Sequence, residues 1–116
     1  MINSIITFLP SKDNDAMSNF YGDLLEMSLH KDQGKCRIYE CNNAFVGFCN
    51  HYENSDPVGV VCFVLSDKTQ VNKMYQKCLD NDINVINEPI RKSEFGIYQF
   101  YAYDPSDNRV EFQCFL

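Results

Sequence analysis

The sequence has no cluster of lysine or arginine residues, and its net charge is −6, from 16 acidic and 10 basic residues. Nucleic-acid-binding proteins need basic side chains that neutralise phosphate groups. The charge pattern therefore excludes nucleic acid as an expected partner. An acidic surface mildly favours a cationic ligand, although it also serves solubility.

Long apolar segments are missing as well. The longest, at 58–65, is much shorter than the roughly 20 residues that a membrane-spanning helix needs. The first residues show neither the basic region nor the cleavage site of a signal peptide. We therefore expect a cytoplasmic protein without membrane contact. The 116 residues suffice for one domain, 1–116, with a buried core, and are too few for two independent domains.

The six cysteines do not include a Cys-x-x-Cys pair, so the usual spacing of metal and redox motifs is absent. Cys62, Cys78 and Cys114 lie in apolar segments, where a free thiol behaves as a small hydrophobic side chain. We therefore expect reduced cysteines that pack in the core rather than disulfides.

The hydrophobic pattern predicts the same order of elements twice along the chain. One strand is predicted at 2–9, and a short polar strand follows the first helix. Further strands are predicted at 36–41, 44–52, 58–65, 83–90, 96–103 and 109–115. Apolar residues from Ala16 onward indicate an amphipathic helix that ends near Met27. Asp67, followed by Gln70, is typical of the start of a second helix. The repeat divides the chain into two modules, 1–52 and 58–116.

Each predicted module has one strand, one helix and three further strands. A single helix covers only one face of a four-stranded sheet, and pockets form where such faces meet. We predict an α+β fold in which two βαβββ modules form a curved mixed sheet around a cleft, with the helices on the outer faces. The expected core residues are Phe20, Leu24, Leu25, Val71, Tyr75, Leu79, Val110 and Phe112.

Three motifs carry a family resemblance. Residues 20–27, FYGDLLEM, are similar to an FY-x-x-x-LGM helix end, with Glu26 in place of glycine. Residues 9–15, LPSKDND, run directly into this helix, as in bleomycin-resistance proteins. Residues 104–112, DPSDNRVEF, are similar to DP-x-GN-x-(I/V)-E-(F/L), with Asp107 in place of glycine. We expect Asn108, which tolerates left-handed backbone angles, to form that turn. Together the motifs resemble the glyoxalase/bleomycin-resistance/extradiol-dioxygenase superfamily, also called vicinal oxygen chelate proteins.

The resemblance implies where a metal would be bound. Metal-using members draw His, Glu or Gln ligands from the first and last strands of each half, and Glu111 matches the last of these positions. The other positions fall on Ile6 with its neighbours Ile5 and Thr7, on Val60 or Val61, and on Gly47 with Phe45 and Cys49 in the same phase. A catalytic divalent site needs about three protein ligands. We therefore expect no metal and no other cofactor.

Glu111 allows three interpretations. It could be a solvated carboxylate in a polar row with Arg109 and Gln113, which share its face at period two. It could also contact a ligand, or bind a metal. We predict a ligand-binding set of Glu111, Arg109 and Gln113, with His51 at the rim of the cleft and Tyr101 along one wall.

The two histidines add little catalytic chemistry. We expect His30 to be a solvated surface residue. Cys49 and His51 would share a face, but no third group is evident that would activate a nucleophile.

The missing metal ligands and the resemblance together predict a metal-independent small-molecule-binding protein, with a cationic or aromatic ligand. The resemblance alone implies sequestration of a drug or metabolite in a dimer-interface cleft. The alternative is a glyoxalase-like lyase, isomerase or dioxygenase with a degenerate or unusual metal site, so whether the protein is an enzyme stays open. We expect a homodimer, because a second copy would cover exposed strand edges and an apolar-aromatic cleft.

Overall fold

A computed structural model describes residues 4–50 and 59–116. The chain separates into two units, Met1–Pro57 and Val58–Leu116. Each unit contains a helical region and a four-stranded mixed sheet. The predicted α+β fold with βαβββ modules is therefore confirmed. Within the described residues, no helix is long and apolar enough to cross a membrane.

The first module begins with a strand and a helical region that is first α-helical and then π-helical. Its elements are β1 (Ile6–Pro10), α1 (Asn14–Ser18), a π-helical segment (Asn19–Leu24), β2 (Ser28–Asp32), β3 (Cys36–Cys41) and β4 (Ala44–Cys49). The sheet order is β1-β4-β3-β2, with β1 parallel to β4. Asp13 starts α1, because its side chain accepts hydrogen bonds from the backbone N–H groups of Asp15 and Ala16. The helical region ends earlier than the predicted end near Met27.

The helix of the first module covers one face of its sheet through aromatic packing. Phe48 is fully buried and stacks on two rings, with centroid distances of 5.8 Å to Tyr21 and 5.7 Å to Tyr39. Phe20 packs edge-on against Tyr21 at 4.9 Å. These contacts form the buried face of the module. Phe20 and Leu24 are buried, as predicted.

The second module repeats this order. Its elements are β5 (Val60–Val64), α2 (Lys68–Asp80), β6 (Ile90–Lys92), β7 (Ile97–Tyr103) and β8 (Arg109–Phe115). The sheet order is β5-β8-β7-β6, with β5 parallel to β8. Asp67 starts α2 by accepting a hydrogen bond from the backbone N–H of Gln70, as its sequence pattern predicts.

The predicted strand at 83–90 is wrong for most of its length, since the regular strand is Ile90–Lys92. Val85 forms only an isolated bridge with Ala102. The side chain of Asn87 accepts the backbone N–H of Tyr101, where a regular strand would offer a backbone carbonyl. Pro89 has no N–H to donate to a ladder. This segment is therefore irregular although it contains four β-branched residues, Ile83, Val85, Ile86 and Ile90.

The predicted core is correct in part. Val71, Val110 and Phe112 are fully buried, whereas Leu25 and Tyr75 are partly exposed. Leu79 is 41% exposed, so its predicted burial is wrong. The fully buried Val71 and Cys78 mark the stripe of α2 that faces the sheet, and Leu79 lies about 100° further around the helix.

The cysteines depart from the prediction in two ways. Cys36 and Cys49 lie directly opposite each other on β3 and β4 and form a disulfide, so the expectation of six reduced thiols is wrong. Cys78 and Cys114 are free and buried, as predicted, but Cys62 is free and exposed. Cys62 is exposed because it lies on the face of β5 that α2 does not cover.

The loop between β7 and β8 is held by Asp104. Its Oδ1 accepts the backbone N–H groups of Ser106 and Asn108 at 2.8 and 2.9 Å, and its Oδ2 accepts the Asn108 side-chain amide at 2.8 Å. Asp107 itself adopts the left-handed conformation, with φ 66°. The prediction that Asn108 would form the turn is therefore wrong, because its side chain is used to bind Asp104. Glu26 also stands at positive φ, 61°, where the family motif has glycine.

Candidate ligand-binding site

The sheet of the second module has one face covered by α2 and one that is not. Phe112 and Phe100 stack at 5.0 Å, and Tyr75 of α2 packs edge-on against Phe100 at 5.3 Å. Because side chains alternate along a strand, the neighbours of these residues point to the other side. We call that side the open face; its residues on β8 are Arg109, Glu111, Gln113 and Phe115.

The open face contains a cavity of about 340 Å³ within the second module. Its lining includes Lys92, Ile97, Tyr101, Glu111, Gln113 and Phe115. Three of the five predicted ligand-binding residues, Glu111, Gln113 and Tyr101, thus meet in one cavity. Arg109 lies beside it, with its guanidinium 5.7 Å from the centre of the Tyr101 ring. His51 lies outside the described residues.

Glu111 is not paired with Arg109. Its Oε2 accepts a hydrogen bond of 2.9 Å from Nε2 of Gln99, which is fully buried. Cys62 is the register partner of Glu111 on β5, and the charge of the carboxylate acts on its thiol. Within residues 4–50 and 59–116, no lysine, arginine or histidine forms an ion pair with Glu111. The expected polar row along β8 is therefore replaced by contacts that run across the strands.

The surroundings of Cys62 disfavour its thiolate. Partial burial of the thiol, followed by the charge and acceptor oxygen of Glu111, raises the pKa of Cys62 to about 12. A thiol reacts through its thiolate, so Cys62 is unreactive near neutral pH. Cys49, the other cysteine considered as a nucleophile, is closed in the disulfide with Cys36. The nucleophile hypothesis for Cys49 is therefore wrong.

Two cations flank Tyr101 on the open face. The Lys92 Nζ lies 4.9 Å from the ring centroid, opposite in charge to the Glu111 carboxylate in the same cavity. Arg109 adds a second positive charge beside the same ring. Among the described residues, neither cation has a carboxylate partner within 4.0 Å. The cavity thus has an acceptor at Glu111 and a positive edge at Lys92.

The residues at the family's metal positions do not fit a divalent ion. In the part of the chain that the structure describes, no group of three or more His, Cys, Asp or Glu side chains is close enough to hold one. Gly47 lies beneath the ring of Phe8, so that a Cβ there would be 2.5 Å from Phe8 Cε1. The thiol of Cys62 would have to lose its proton against the Glu111 charge in order to bind a metal.

Several residues of the site were not found from the sequence. Cys62 and Gln99 could have been placed by continuing the period-two alternation along β5 and β7, because both share the phase of the open face. Asn87 could not, because it lies in the segment whose regular strand was predicted wrongly. Lys92 lies two residues beyond Ile90, the last residue of the predicted strand, so the prediction did not include it.

The chain is similar to several solved structures. A lactoylglutathione lyase from Agrobacterium tumefaciens superimposes with a TM-score of 0.78 at 23% identity, covering 98% of this chain and 94% of that one. A glyoxalase/bleomycin resistance protein/dioxygenase family enzyme from Burkholderia phytofirmans PsJN gives 0.84 at 19% identity, covering 96% and 97%. FosX, a genomically encoded fosfomycin resistance protein from Listeria monocytogenes, gives 0.83 at 11% identity, covering 100% and 96%. At these identities the likeness shows the fold alone.

A search of curated proteins finds no significant match to this sequence. Residues 2–112 do match a protein family, and the match spans nearly the whole chain and all of the elements described above except the end of β8. The chain belongs to the Glyoxalase/Bleomycin resistance protein/Dioxygenase superfamily.

Proposed function

We propose that this protein is a metal-independent small-molecule-binding protein, and that its ligand binds on the open face of the second module. The observation that carries the proposal is the Glu111 carboxylate, which lines a cavity of about 340 Å³ and, within residues 4–50 and 59–116, has no set of metal ligands around it. A carboxylate in such a place binds a hydrogen-bond donor of a ligand rather than a metal ion.

The cavity has the composition of a small-molecule site. Ligand pockets are mostly apolar, hold a few placed polar groups and have volumes of about 300–1,000 Å³. Here Ile97, Phe115 and the ring of Tyr101 supply apolar surface, while Glu111 and Gln113 supply polar groups. These walls suit a ligand with an aromatic or aliphatic body and a hydrogen-bond donor directed at Glu111.

The nearby charges refine the predicted cationic ligand. Lys92 and Arg109 place two positive charges next to Tyr101. A positive group is favoured only close to Glu111, and an acidic group is favoured near Lys92. The ligand of this site therefore has a neutral or cationic hydrogen-bond donor at the end that meets Glu111. It does not carry a positive charge at the end near Lys92.

A homodimer is part of the proposal. β1 and β5 each form one edge of their sheet, and both expose apolar side chains. The exposed fractions are 38% for Ile6, 44% for Phe8, 47% for Val60 and 59% for Val64. Exposed apolar edge strands are sites of pairing with another chain. Light scattering at micromolar concentration should give twice the mass of 13.5 kDa, and a species of that mass alone would contradict the dimer.

The function is tested by elemental analysis of the purified protein and a thermal-shift screen of small molecules. We expect no stoichiometric nickel, zinc, manganese or iron, and a rise in melting temperature with compounds that bind the native state. Binding should be unchanged by chelator and should perturb the NMR signals of Tyr101 and Glu111. A stoichiometric metal with chelator-sensitive turnover would instead establish the alternative, a glyoxalase-like lyase, isomerase or dioxygenase.

A further inference from the structure

A chain of hydrogen bonds leads from the backbone of β7 to the Glu111 carboxylate. The backbone N–H of Tyr101 donates to Oδ1 of Asn87 at 2.9 Å. Nδ2 of Asn87 donates to Oε1 of Gln99 at 3.3 Å, and Nε2 of Gln99 donates to Oε2 of Glu111 at 2.9 Å. Each amide in this chain accepts on one side and donates on the other.

The direction of this chain is fixed at its start. A backbone N–H can only donate, so the side chain of Asn87 must turn its oxygen toward Tyr101. The amide nitrogen of Asn87 also donates to the backbone carbonyl of Glu88 at 2.9 Å, and a carbonyl can only accept. Asn87 is therefore held between a fixed donor and a fixed acceptor, and it cannot reverse without losing both bonds.

The same direction is passed on to the binding site. Because Asn87 presents its N–H to Gln99, Gln99 must present its own N–H to Glu111. Gln99 is fully buried, so a reversed amide would leave polar atoms without partners in the interior. The hydrogen bond from Gln99 thus presents a donor to Glu111, and it suits the carboxylate as an acceptor.

We propose that Asn87 and Gln99 are positioning residues that keep Glu111 a hydrogen-bond acceptor, so that the site selects ligands with an N–H or O–H donor and rejects isosteres that can only accept. This proposal rests on the proposed function and names the class of ligand for the same site. The backbone N–H of Tyr101 orients the side-chain amide of Asn87, which orients that of Gln99, which in turn donates to Glu111.

The hydrogen-bond chain can be tested without a ligand. The side-chain amide protons of Gln99 should give a proton–nitrogen NMR signal shifted by their bond to a carboxylate. Glu111→Gln should move this signal strongly, because the charged acceptor is lost. Gln76, which donates to Asp80 at 2.8 Å on α2, provides an unaffected reference signal. A Gln99 signal that does not respond to Glu111→Gln would overturn the proposal, whatever the ligand proves to be.

The selectivity is tested with two isomers, phenethyl alcohol and benzyl methyl ether. Both have an aromatic body and the same atoms, but only the alcohol has a donor. In the native protein we expect the alcohol to bind at least about tenfold more tightly, since a hydrogen bond to a charged group is lost with the ether. Phenethylamine serves as the charged donor. Affinities are measured by NMR titration of the open-face amides.

Asn87→Asp removes the donor that orients Gln99. Aspartate has no N–H for Gln99 and its carboxylate attracts the Gln99 N–H, so Gln99 should turn its N–H toward residue 87 and away from Glu111. The preference for the alcohol should then fall toward unity. Asn84→Asp is the matched control, because it places the same charge on the same segment while its side chain has no part in the chain described above. Proton–nitrogen spectra verify that both variants are folded.

The outcomes separate this inference from the proposed function. If no probe or screened compound perturbs the open face, the binding function fails, and the Gln99 signal still decides whether the hydrogen-bond chain exists. If compounds bind but the alcohol and the ether bind equally, the function holds and the selectivity is wrong. An alcohol preference that persists in a folded Asn87→Asp protein would show that Asn87 and Gln99 do not position Glu111.

Discussion

The two modules have the same order of elements and the same strand pairing, but their sheets differ on the side away from the helix. The central pair of β1 and β4 is Phe8 opposite Gly47, whereas the central pair of β5 and β8 is Cys62 opposite Glu111. In the first module the ring of Phe8 fills the space that glycine leaves. In the second module the same place in the ladder holds a carboxylate that accepts a hydrogen bond from Gln99. The same fold thus carries an apolar pair on one open side and a polar pair on the other.

This difference shows which part of the repeat is constrained by folding. On the helix side, both modules place a fully buried phenylalanine between two stacked rings: Phe48 in the first and Phe112 in the second. Phe112 lies 5.5 Å from Phe63 and 5.0 Å from Phe100. The side facing the helix must be apolar in any such module. The other side is free of this constraint, and our proposed function uses it in the second module.

The largest effect is expected from the two equivalent core positions. Phe48→Ala and Phe112→Ala should each lower the free energy of unfolding by about 3–5 kcal/mol, because each removes a buried ring and leaves a cavity. Urea denaturation measures both. Similar losses would confirm that the helix sides of the modules are equivalent, and a difference of more than about twofold, beyond the usual context dependence, would break the comparison.

The next effect separates the two open faces. Glu111→Gln should weaken binding of a donor ligand at least about tenfold, because it removes the charge from the acceptor. Gly47→Ala changes the equivalent position of the first module and should leave binding unchanged. It should cost about 1–3 kcal/mol of stability, because the added methyl group displaces the Phe8 ring. Calorimetric titration and urea denaturation test both variants, and equal losses of binding would mean that the site is not confined to the second module.

Most elements and much of the helix-facing core could be predicted from the sequence because both follow from periodicity; the strand at 83–90 and the burial of Leu79 are the exceptions. Alternation along residues 109–115 is enough to place Glu111 and the buried Phe112 on different faces of the strand. Capping by Asp67 is equally local. The motifs added the family and its repeat, which a single pattern of alternation would not have identified.

The partners of Glu111 could not be predicted in the same way, because they depend on register between strands. Arg109 is nearest to Glu111 along β8, yet Gln99 and Cys62 reach the carboxylate from β7 and β5. The disulfide, by contrast, could have been found, because the two-residue connection at 42–43 fixes the register of β3 and β4 and places Cys36 opposite Cys49. Alternation gives the face of a residue but not its neighbour on the next strand.

A smaller effect concerns the chemistry of Cys62. In Glu111→Gln, the pKa of Cys62 should fall from about 12 toward the ordinary value of 9.0, because the adjacent negative charge and charged acceptor are removed. Its alkylation by iodoacetamide at alkaline pH should therefore become faster. Cys41→Ser in both proteins removes the other exposed thiol. Equal alkylation rates at every pH would show that Glu111 does not control Cys62.

The same shift predicts how stability depends on pH. The pKa of Cys62 is raised on folding, so the unfolded chain loses its proton first as the pH rises. The associated stability is fully present below pH 9 and is lost as the pH approaches 12. Cys78, whose pKa burial raises to about 11, contributes a similar loss in both proteins. The fall in the free energy of unfolding above pH 9 should be shallower in Glu111→Gln than in the native protein, and an identical slope would contradict the shift.

The smallest effect tests the positive edge of the cavity. Lys92→Gln removes a cation that lines the cavity beside Tyr101. Binding of phenethylamine should improve, and binding of phenylacetate should weaken, each by up to about fivefold, because an exposed charge contributes at most about 1 kcal/mol. Lys77→Gln, on α2, is the matched control with the same charge change. Opposite shifts for the amine and the acid, seen only in Lys92→Gln, would place Lys92 in the site. Parallel shifts in both variants would mean that the net charge of the protein, rather than the open face, governs the preference.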